Sequence, residues 1–168
     1  FLPMQSRYRE PLHDFVLRQA AYAAVEANHP SAWLINLELA KQYVNKGLLD
    51  AALEHTQMAI GQLNKQKNEQ IEKLLKNFDS LCKQQYGFAP TELENQVKQQ
   101  AERWKAGVLQ LPKSNDPARD VATRANLALQ AGLPRLAIEE ILASNMKSDD
   151  IALLATSIYS VLGQHDLV

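Results

Sequence analysis

The sequence has few of the residues and patterns that mark specialised protein classes. It holds one cysteine, so no disulfide can form within the chain and the fold does not depend on an oxidising compartment. No apolar run approaches the roughly 18 residues that a membrane span requires. The net charge is −1, from 18 Lys and Arg against 19 Asp and Glu. This balance argues against a protein that mainly holds duplex nucleic acid, because that task needs a strongly basic face.

Glycine and proline are scarce too, with 6 and 7 residues in 168, and the remaining composition is that of a globular protein. Hydrophobic residues make up 46% of the chain, which is enough for one domain with a sizeable core. We expect a soluble intracellular protein of the cytoplasm or an organelle matrix. The chain begins at Phe1, which is typical of a fragment or a processed product, so any targeting peptide would lie before Phe1.

Helical periodicity runs through almost the whole chain, and no segment shows the alternation and hairpin turns of β-strands. Most prolines fall between segments of helix length, where they mark boundaries. The fold class predicted from this pattern is all-α. The expected helices cover residues 11–28, 31–46, 48–65, 68–86, 91–110, 117–131, 134–144 and 149–162.

Side chains at three predicted helix starts suit the N-cap position. Thr91 and Glu94 have the spacing of a capping box, in which each side chain bonds a free backbone N–H of the first turn. Ser31 is expected to cap the second helix. Asp116 directly precedes a proline, which suits the first helical position.

The predicted helices 68–86 and 91–110 carry matching apolar stripes and are joined by a short link. We expect them to fold back as a longer central antiparallel pair. The stretch 62–106 holds 8 Lys and Arg against 6 Asp and Glu, whereas the flanking stretches are slightly acidic. We interpret this excess as a solvated face, with a basic partner-binding ridge as the alternative.

Residues 36–60 contain a helical-hairpin motif. Small side chains at Ala40 and Ala52 let two helices approach closely, and Gly47 between them permits the chain to reverse. This pattern resembles the tetratricopeptide repeat. The positions that match the family are Leu39, Ala40, Tyr43, Gly47, Ala52 and Ala59, with Asp50 where an acidic residue often opens the second helix.

The hairpin departs from the family at two helical positions and lacks the proline that usually ends the repeat. Asn36 stands where the family has an aromatic residue in the first helix, and Thr56 replaces a large residue of the second helix. Weaker copies of the motif follow around Gly132 and Gly163.

One hairpin cannot bury its outer faces alone, so the resemblance implies stacked neighbours in an α-solenoid. The predicted organisation is a single helical-repeat domain or fragment over 1–168. It comprises N-terminal hairpins at 11–65, a central helix pair at 68–110 and degenerate repeats at 117–168.

No pattern in the sequence indicates catalysis or a bound metal. The histidines lack the spacing of metal ligands, and no phosphate-binding loop or nucleophile elbow occurs. Cys82 lies within an apolar helix stripe, which favours a buried structural thiol. We therefore predict that the protein is not an enzyme and uses no cofactor or metal.

The resemblance implies a protein-protein interaction scaffold or adaptor. Its groove would be lined by the first helix of the clear hairpin and would hold a partner helix or an extended segment. The corresponding inward positions, and thus the predicted partner-binding residues, are Leu37, Lys41, Val44 and Asn45. Only Lys41 and Asn45 are polar there, which argues against the clamp by which some family members hold acidic chaperone tails.

Two alternatives remain open at this point. Residues 132–163 also resemble a degenerate pentatricopeptide repeat, which implies an organellar RNA-binding or ribosome-associated factor. Against it, residues 151–154 are apolar where that family contacts bases, and aromatic residues are only 7% of the chain. In the second alternative, 68–110 mediates self-association or docking, and the chain is a structural subunit of a larger assembly.

Overall fold

The helical periodicity of the sequence is realised in the computed structural model, which describes residues 16, 19–24, 27 and 29–163. These residues contain no strand, which confirms the all-α prediction. Residues 16 and 19–24 are helical; the rest of the predicted helix 11–28, except residue 27, lies outside the described residues. The helices with both ends described are α1 (Ala32–Asn45), α2 (Leu49–Asn64), α3 (Glu69–Lys76), α4 (Phe78–Tyr86), α5 (Pro90–Gln110), α6 (Pro117–Gln130), α7 (Pro134–Ser144) and α8 (Asp149–Val161).

Two of the predicted N-caps occupy the expected position. Asp116 accepts hydrogen bonds from the backbone N–H groups of Ala118 and Arg119 at 3.1 and 3.4 Å, and so caps α6. Ser31 is the N-cap residue of α1, but its hydroxyl makes no capping hydrogen bond to the described backbone. Its expected contribution to the helix is therefore missing.

The predicted capping box at Thr91 and Glu94 is wrong. Helix α5 begins one residue earlier, at Pro90, and its N-cap is Ala89. The Thr91 hydroxyl instead donates to the Asp79 carboxylate of α4 at 2.5 Å, and the Thr91 N–H donates to the same carboxylate at 3.2 Å. An acidic side chain of the neighbouring helix thus takes the place of the local cap.

The predicted helix 68–86 is two helices, because Asn77 interrupts it. The Asn77 side-chain amide donates to the Lys73 carbonyl at 3.4 Å, which is the acceptor that the Asn77 backbone N–H would use in a continuous helix. That N–H donates to the Leu74 carbonyl instead, at 3.2 Å. Because α3 packs against α2, and α4 against α1 and α5, the predicted central pair is three helices with different neighbours.

The glycine turns after α1 and α6 touch each other. Gly47 and Gly132 both have positive φ angles, +74° and +80°, as expected for residues that end a helix. The backbone N–H of Leu49 donates to the Gly132 carbonyl at 2.8 Å. A Cβ atom on Gly132 would lie 2.6 Å from the Gly47 carbonyl oxygen, so only glycine fits this approach.

The hairpins α1–α2 and α6–α7 meet through their second helices, α2 and α7. Helix α5 packs against both α2 and α6, so that α2, α5, α6 and α7 form a closed ring of helix contacts. Within this ring, the Trp104 indole N–H of α5 donates a hydrogen bond to the Arg124 carbonyl of α6 at 3.0 Å. Helix α8 packs against α6 and α7, and the Tyr43 hydroxyl of α1 donates to the Leu162 carbonyl that follows α8.

A polar cluster lies inside the α1–α2 hairpin. Asn36, His55 and Thr56 are all at most 1% exposed, so the two departures from the repeat motif are buried. The Asn36 amide donates to Gln62 Oε1 at 3.1 Å, which leaves its oxygen to accept from His55 Nδ1 at 2.9 Å. The cluster gives the two helices hydrogen bonds in a place where the motif supplies apolar packing.

Candidate interaction groove

The structure spreads the four sequence-predicted binding residues of α1 over different environments. Leu37 is fully buried in the core, whereas Lys41 and Val44 are half-buried and Asn45 is exposed. The four therefore do not form one open surface, because Leu37 packs inside the protein. A partner-binding role for Lys41, Val44 and Asn45 stays a prediction.

The concave surface lies on the second helix of the hairpin, between α2 and α5. Two adjoining cavities, of about 340 and about 420 Å³, share Leu53 and Gln57 of α2. One extends to Asp50 and the start of α7, and the other extends to Asn64 and the helices α3 and α4. A helix rises 1.5 Å per residue, so the α2 stretch from Asp50 to Asn64 makes a groove about 21 Å long.

Helix α5 forms the opposite wall and runs antiparallel to α2. Val97 and Ala101 line the cavity near the start of α2, while Pro90, Thr91 and Glu94 line the cavity near its end. Positions 90, 94, 97 and 101 follow the helical period, so the wall is one face of α5. The groove thus has two helical walls.

The α7 end of the groove is held in place by Asp50. Its carboxylate accepts from the backbone N–H groups of Arg135 and Leu136 at 3.1 and 2.9 Å. These are free donors of the first turn of α7, whose own N-cap, Leu133, has no side-chain acceptor. Asp50 therefore caps a helix of the other hairpin, and burial raises the pKa of its carboxyl to about 6 against the opposing effect of those hydrogen bonds.

An ion pair crosses the same end of the groove. Arg135 Nε of α7 lies 3.0 Å from Glu54 Oε2 of α2, and both side chains are partly buried. Glu54 Oε2 accepts no hydrogen bond from the described residues, so this contact is one of charge, and Asp50 supplies the hydrogen bonds between α2 and α7. The α7 end of the groove is therefore lined by side chains that already have partners within the protein.

The groove floor mixes apolar and uncharged polar side chains. Leu53, Ile60 and Val97 are half-buried, so each keeps part of its apolar surface accessible. Gln57 is exposed and contributes to both cavities, which places it at the middle of the groove. Such a floor suits the apolar stripe of an incoming helix.

A second concavity, of about 640 Å³, lies at the corner between α5 and α6. Its apolar lining includes Leu109, which is 87% exposed, and its cations include Lys113 and Arg119. Asp120 accepts hydrogen bonds from the hydroxyl and the N–H of Ser114 there, and these hydrogen bonds lower the pKa of its carboxyl. This corner is formed by two consecutive helices and the loop that joins them, without the two long walls of the α2–α5 groove.

The described residues offer no arrangement suited to catalysis by a metal. No group of three or more His, Cys, Asp or Glu among them is placed to hold an ion. Cys82 is buried, as predicted, and burial raises the pKa of its thiol to about 12, with a smaller contribution from Asp79. A thiol in that state is a poor nucleophile. Nor is any described helix long and apolar enough to cross a bilayer.

The sequence motif predicts a binding face on α1, whereas the concave surface of the structure lies on α2. In the sequence, the groove corresponds to a second stripe of α2 beside the buried stripe that faces α1. The residues of this second stripe are Leu53, Gln57, Ile60 and Asn64. This stripe becomes one wall of a groove only because α5 packs beside it, and α5 begins 26 residues after α2 ends. No protein-family model, curated protein or solved structure matches the chain.

Proposed function

We propose that the chain is a protein-binding module of tetratricopeptide-like helical hairpins, which holds an amphipathic helix of a partner protein in the α2–α5 groove. The observation that carries the proposal is the groove itself, about 21 Å long with two helical walls and a partly apolar floor. A helix of about 14 residues matches this length. The proposal keeps the function that the resemblance implies but moves its surface from α1 to α2.

We propose a helical partner segment and not an extended one because of the backbone hydrogen bonds that each kind of segment needs. An extended peptide gains much of its affinity by adding a strand to an exposed sheet edge. The described part of the chain contains no strand, and its helices use their backbone hydrogen bonds internally. A helix needs only side-chain packing from its host, because its own backbone groups are already paired.

The groove can be blocked without disturbing the core. Gln57 is exposed and lies at the point where both cavities meet, so Gln57→Trp fills the space that the partner helix would take. Gln99→Trp is the matched control, because Gln99 is exposed on α5 but does not line the groove. Lys41→Glu combined with Asn45→Glu tests the α1 face in the same assay.

The assay selects helical peptides of about 14 residues from a displayed library and measures their affinity for each variant by fluorescence anisotropy. We expect the Gln57→Trp protein to lose at least about tenfold in affinity, which is about 1.4 kcal/mol, while the Gln99→Trp protein keeps it. Circular dichroism confirms that each variant is folded.

Three results would contradict the proposal. Peptides that bind equally well to the Gln57→Trp protein do not use the groove. A loss confined to the Lys41→Glu and Asn45→Glu protein assigns binding to α1. Tight binding of single-stranded oligouridine with a steep salt dependence, in the absence of any selected peptide, favours the RNA-binding alternative.

A further inference from the structure

The α2–α5 groove carries an excess of negative charge. Its lining includes five carboxylates and two basic side chains. The carboxylates are those of Asp50, Glu54, Asp79, Glu94 and Glu139, and the bases are Lys76 and Arg135. The whole chain has a net charge of only −1, so this lining is more acidic than the chain as a whole.

The acids of the lining differ in exposure, because Asp50 and Glu54 are partly buried whereas the others lie on the rim. Asp50 is committed to the backbone of α7, and Glu54 lies against Arg135. Their charges are therefore compensated within the protein.

The remaining three carboxylates, Asp79, Glu94 and Glu139, are all exposed, and Asp79 also accepts the two hydrogen bonds from Thr91. Glu139 stands at the α7 end, whereas Asp79 and Glu94 stand with a single base, Lys76, at the end where α4 meets α5. Glu94 pairs with Lys98 at 3.4 Å, but both side chains are about half or more exposed, so this pair is weak and open to exchange. Negative charge thus borders the apolar floor at both ends.

We propose that the partner is a basic amphipathic helix, with an apolar stripe for the floor and Lys or Arg side chains for the two acidic ends. This rests on the proposed function, since it names the chemistry of the segment that the same groove holds. Rim charges of opposite sign speed association and select between partners more than they add affinity. An acidic helix would meet repulsion at both ends of the groove.

Gln57 allows the sign of the partner's charge to be tested with little change in shape. Gln57→Glu adds a negative charge at the centre of the groove, and Gln57→Lys adds a positive one. For a basic partner, we expect the first variant to bind more tightly and the second to bind more weakly, each by a few-fold. Gln99→Glu and Gln99→Lys place the same charges on the outward side of α5 and control for the total charge.

The probes are two fluorescein-labelled helical peptides of about 14 residues, one built of leucine and lysine and the other of leucine and glutamate. We expect the lysine peptide to bind at least about tenfold more tightly than the glutamate peptide, and its binding to weaken as salt is added. Glu94→Lys with Glu139→Lys should reduce its affinity about tenfold or more, and Glu72→Lys with Glu102→Lys, at exposed positions outside the groove, should not.

The possible outcomes separate this inference from the proposed function. If the glutamate peptide binds as well or better and Gln57→Trp abolishes its binding, the groove function holds and the basic partner is wrong. If the glutamate peptide binds and Leu109→Arg changes that binding, docking occurs at the α5–α6 corner beside Lys113 and Arg119. If the lysine peptide binds all the Gln57 and Gln99 variants equally, the groove is not its site and both proposals fail.

Discussion

Asp50 shows what a single residue can contribute beyond the motif to which it belongs. The sequence indicated it as an acidic residue that opens the second helix of a hairpin, and it does lie in the first turn of α2. Its hydrogen bonds, however, go to Arg135 and Leu136 of another hairpin, more than 80 residues away. The motif describes one hairpin and carries no information on that distant helix. It therefore predicts the position of Asp50 in α2 but not its hydrogen bonds to α7.

The buried position of Asp50 predicts how the free energy of unfolding depends on pH. Burial raises the pKa of its carboxyl from 3.8 to about 6, so between these values the folded protein binds more protons than the unfolded chain. The free energy of unfolding should therefore fall as the pH rises from about 4 to about 6. The full change attributable to this group is about 3 kcal/mol.

The measurement compares urea unfolding of the native protein and the Asp50→Asn variant across this pH range. Asparagine keeps an acceptor for the first turn of α7 but does not ionise, so the variant lacks this part of the pH dependence. The difference between the two free energies should change over that interval and be constant above it. A difference that stays flat, or that moves in the opposite direction, would show that hydrogen bonding outweighs burial at this carboxyl.

Helix bounds were the most predictable feature at the scale of the elements. Six of the predicted spans agree with the structure to within one residue, because proline, glycine and capping side chains act locally. The wrong predictions, the capping box and the unbroken helix 68–86, concern side chains that hydrogen-bond a distant residue or compete with the backbone. Thr91 bonds Asp79 of the preceding helix, and the Asn77 amide displaces its own backbone N–H.

The contact between two turns gives a prediction at this scale. Gly47→Ala introduces a side chain into open space, so its cost is that of the left-handed backbone, about 1–2 kcal/mol. Gly132→Ala has the same backbone cost and also drives a methyl group against the Gly47 carbonyl. We expect it to lower the free energy of unfolding by about 3 kcal/mol or more.

Urea denaturation of the two variants, followed by circular dichroism, measures this difference. The two substitutions are chemically identical and lie at equivalent turns, so each is the control for the other. Equal losses of stability would mean that the turns after α1 and α6 are not in contact in solution.

The arrangement of the hairpins depends on contacts across the whole molecule, and the local sequence patterns do not predict it. The resemblance implied hairpins stacked in sequence order, in which each repeat contacts only its neighbours. In the structure, α2 meets α5 and α7, and α5 closes a ring with α6. The candidate groove exists because of this closure, since its walls come from segments separated by the whole of α3 and α4.

A closed ring of helix contacts should unfold differently from an open array. Loss of any one helix exposes the buried faces of two others, so we expect a single cooperative transition. An array of hairpins with weak interfaces can instead lose its end units first. The two tryptophans report on different parts of the chain, because Trp33 lies on α1 and Trp104 on α5.

Each single-tryptophan variant, Trp33→Phe or Trp104→Phe, allows one helix to be followed by fluorescence while circular dichroism follows all helices together. Within each variant, the urea midpoints from the two methods should coincide, whatever the substitution costs in stability. Separate midpoints in both variants would mean that the first hairpin unfolds independently of the ring, because the Trp33→Phe protein keeps the Trp104 hydrogen bond to Arg124. In that event α2 could leave α5 without global unfolding, and the groove between them would not be a permanent feature of the folded protein.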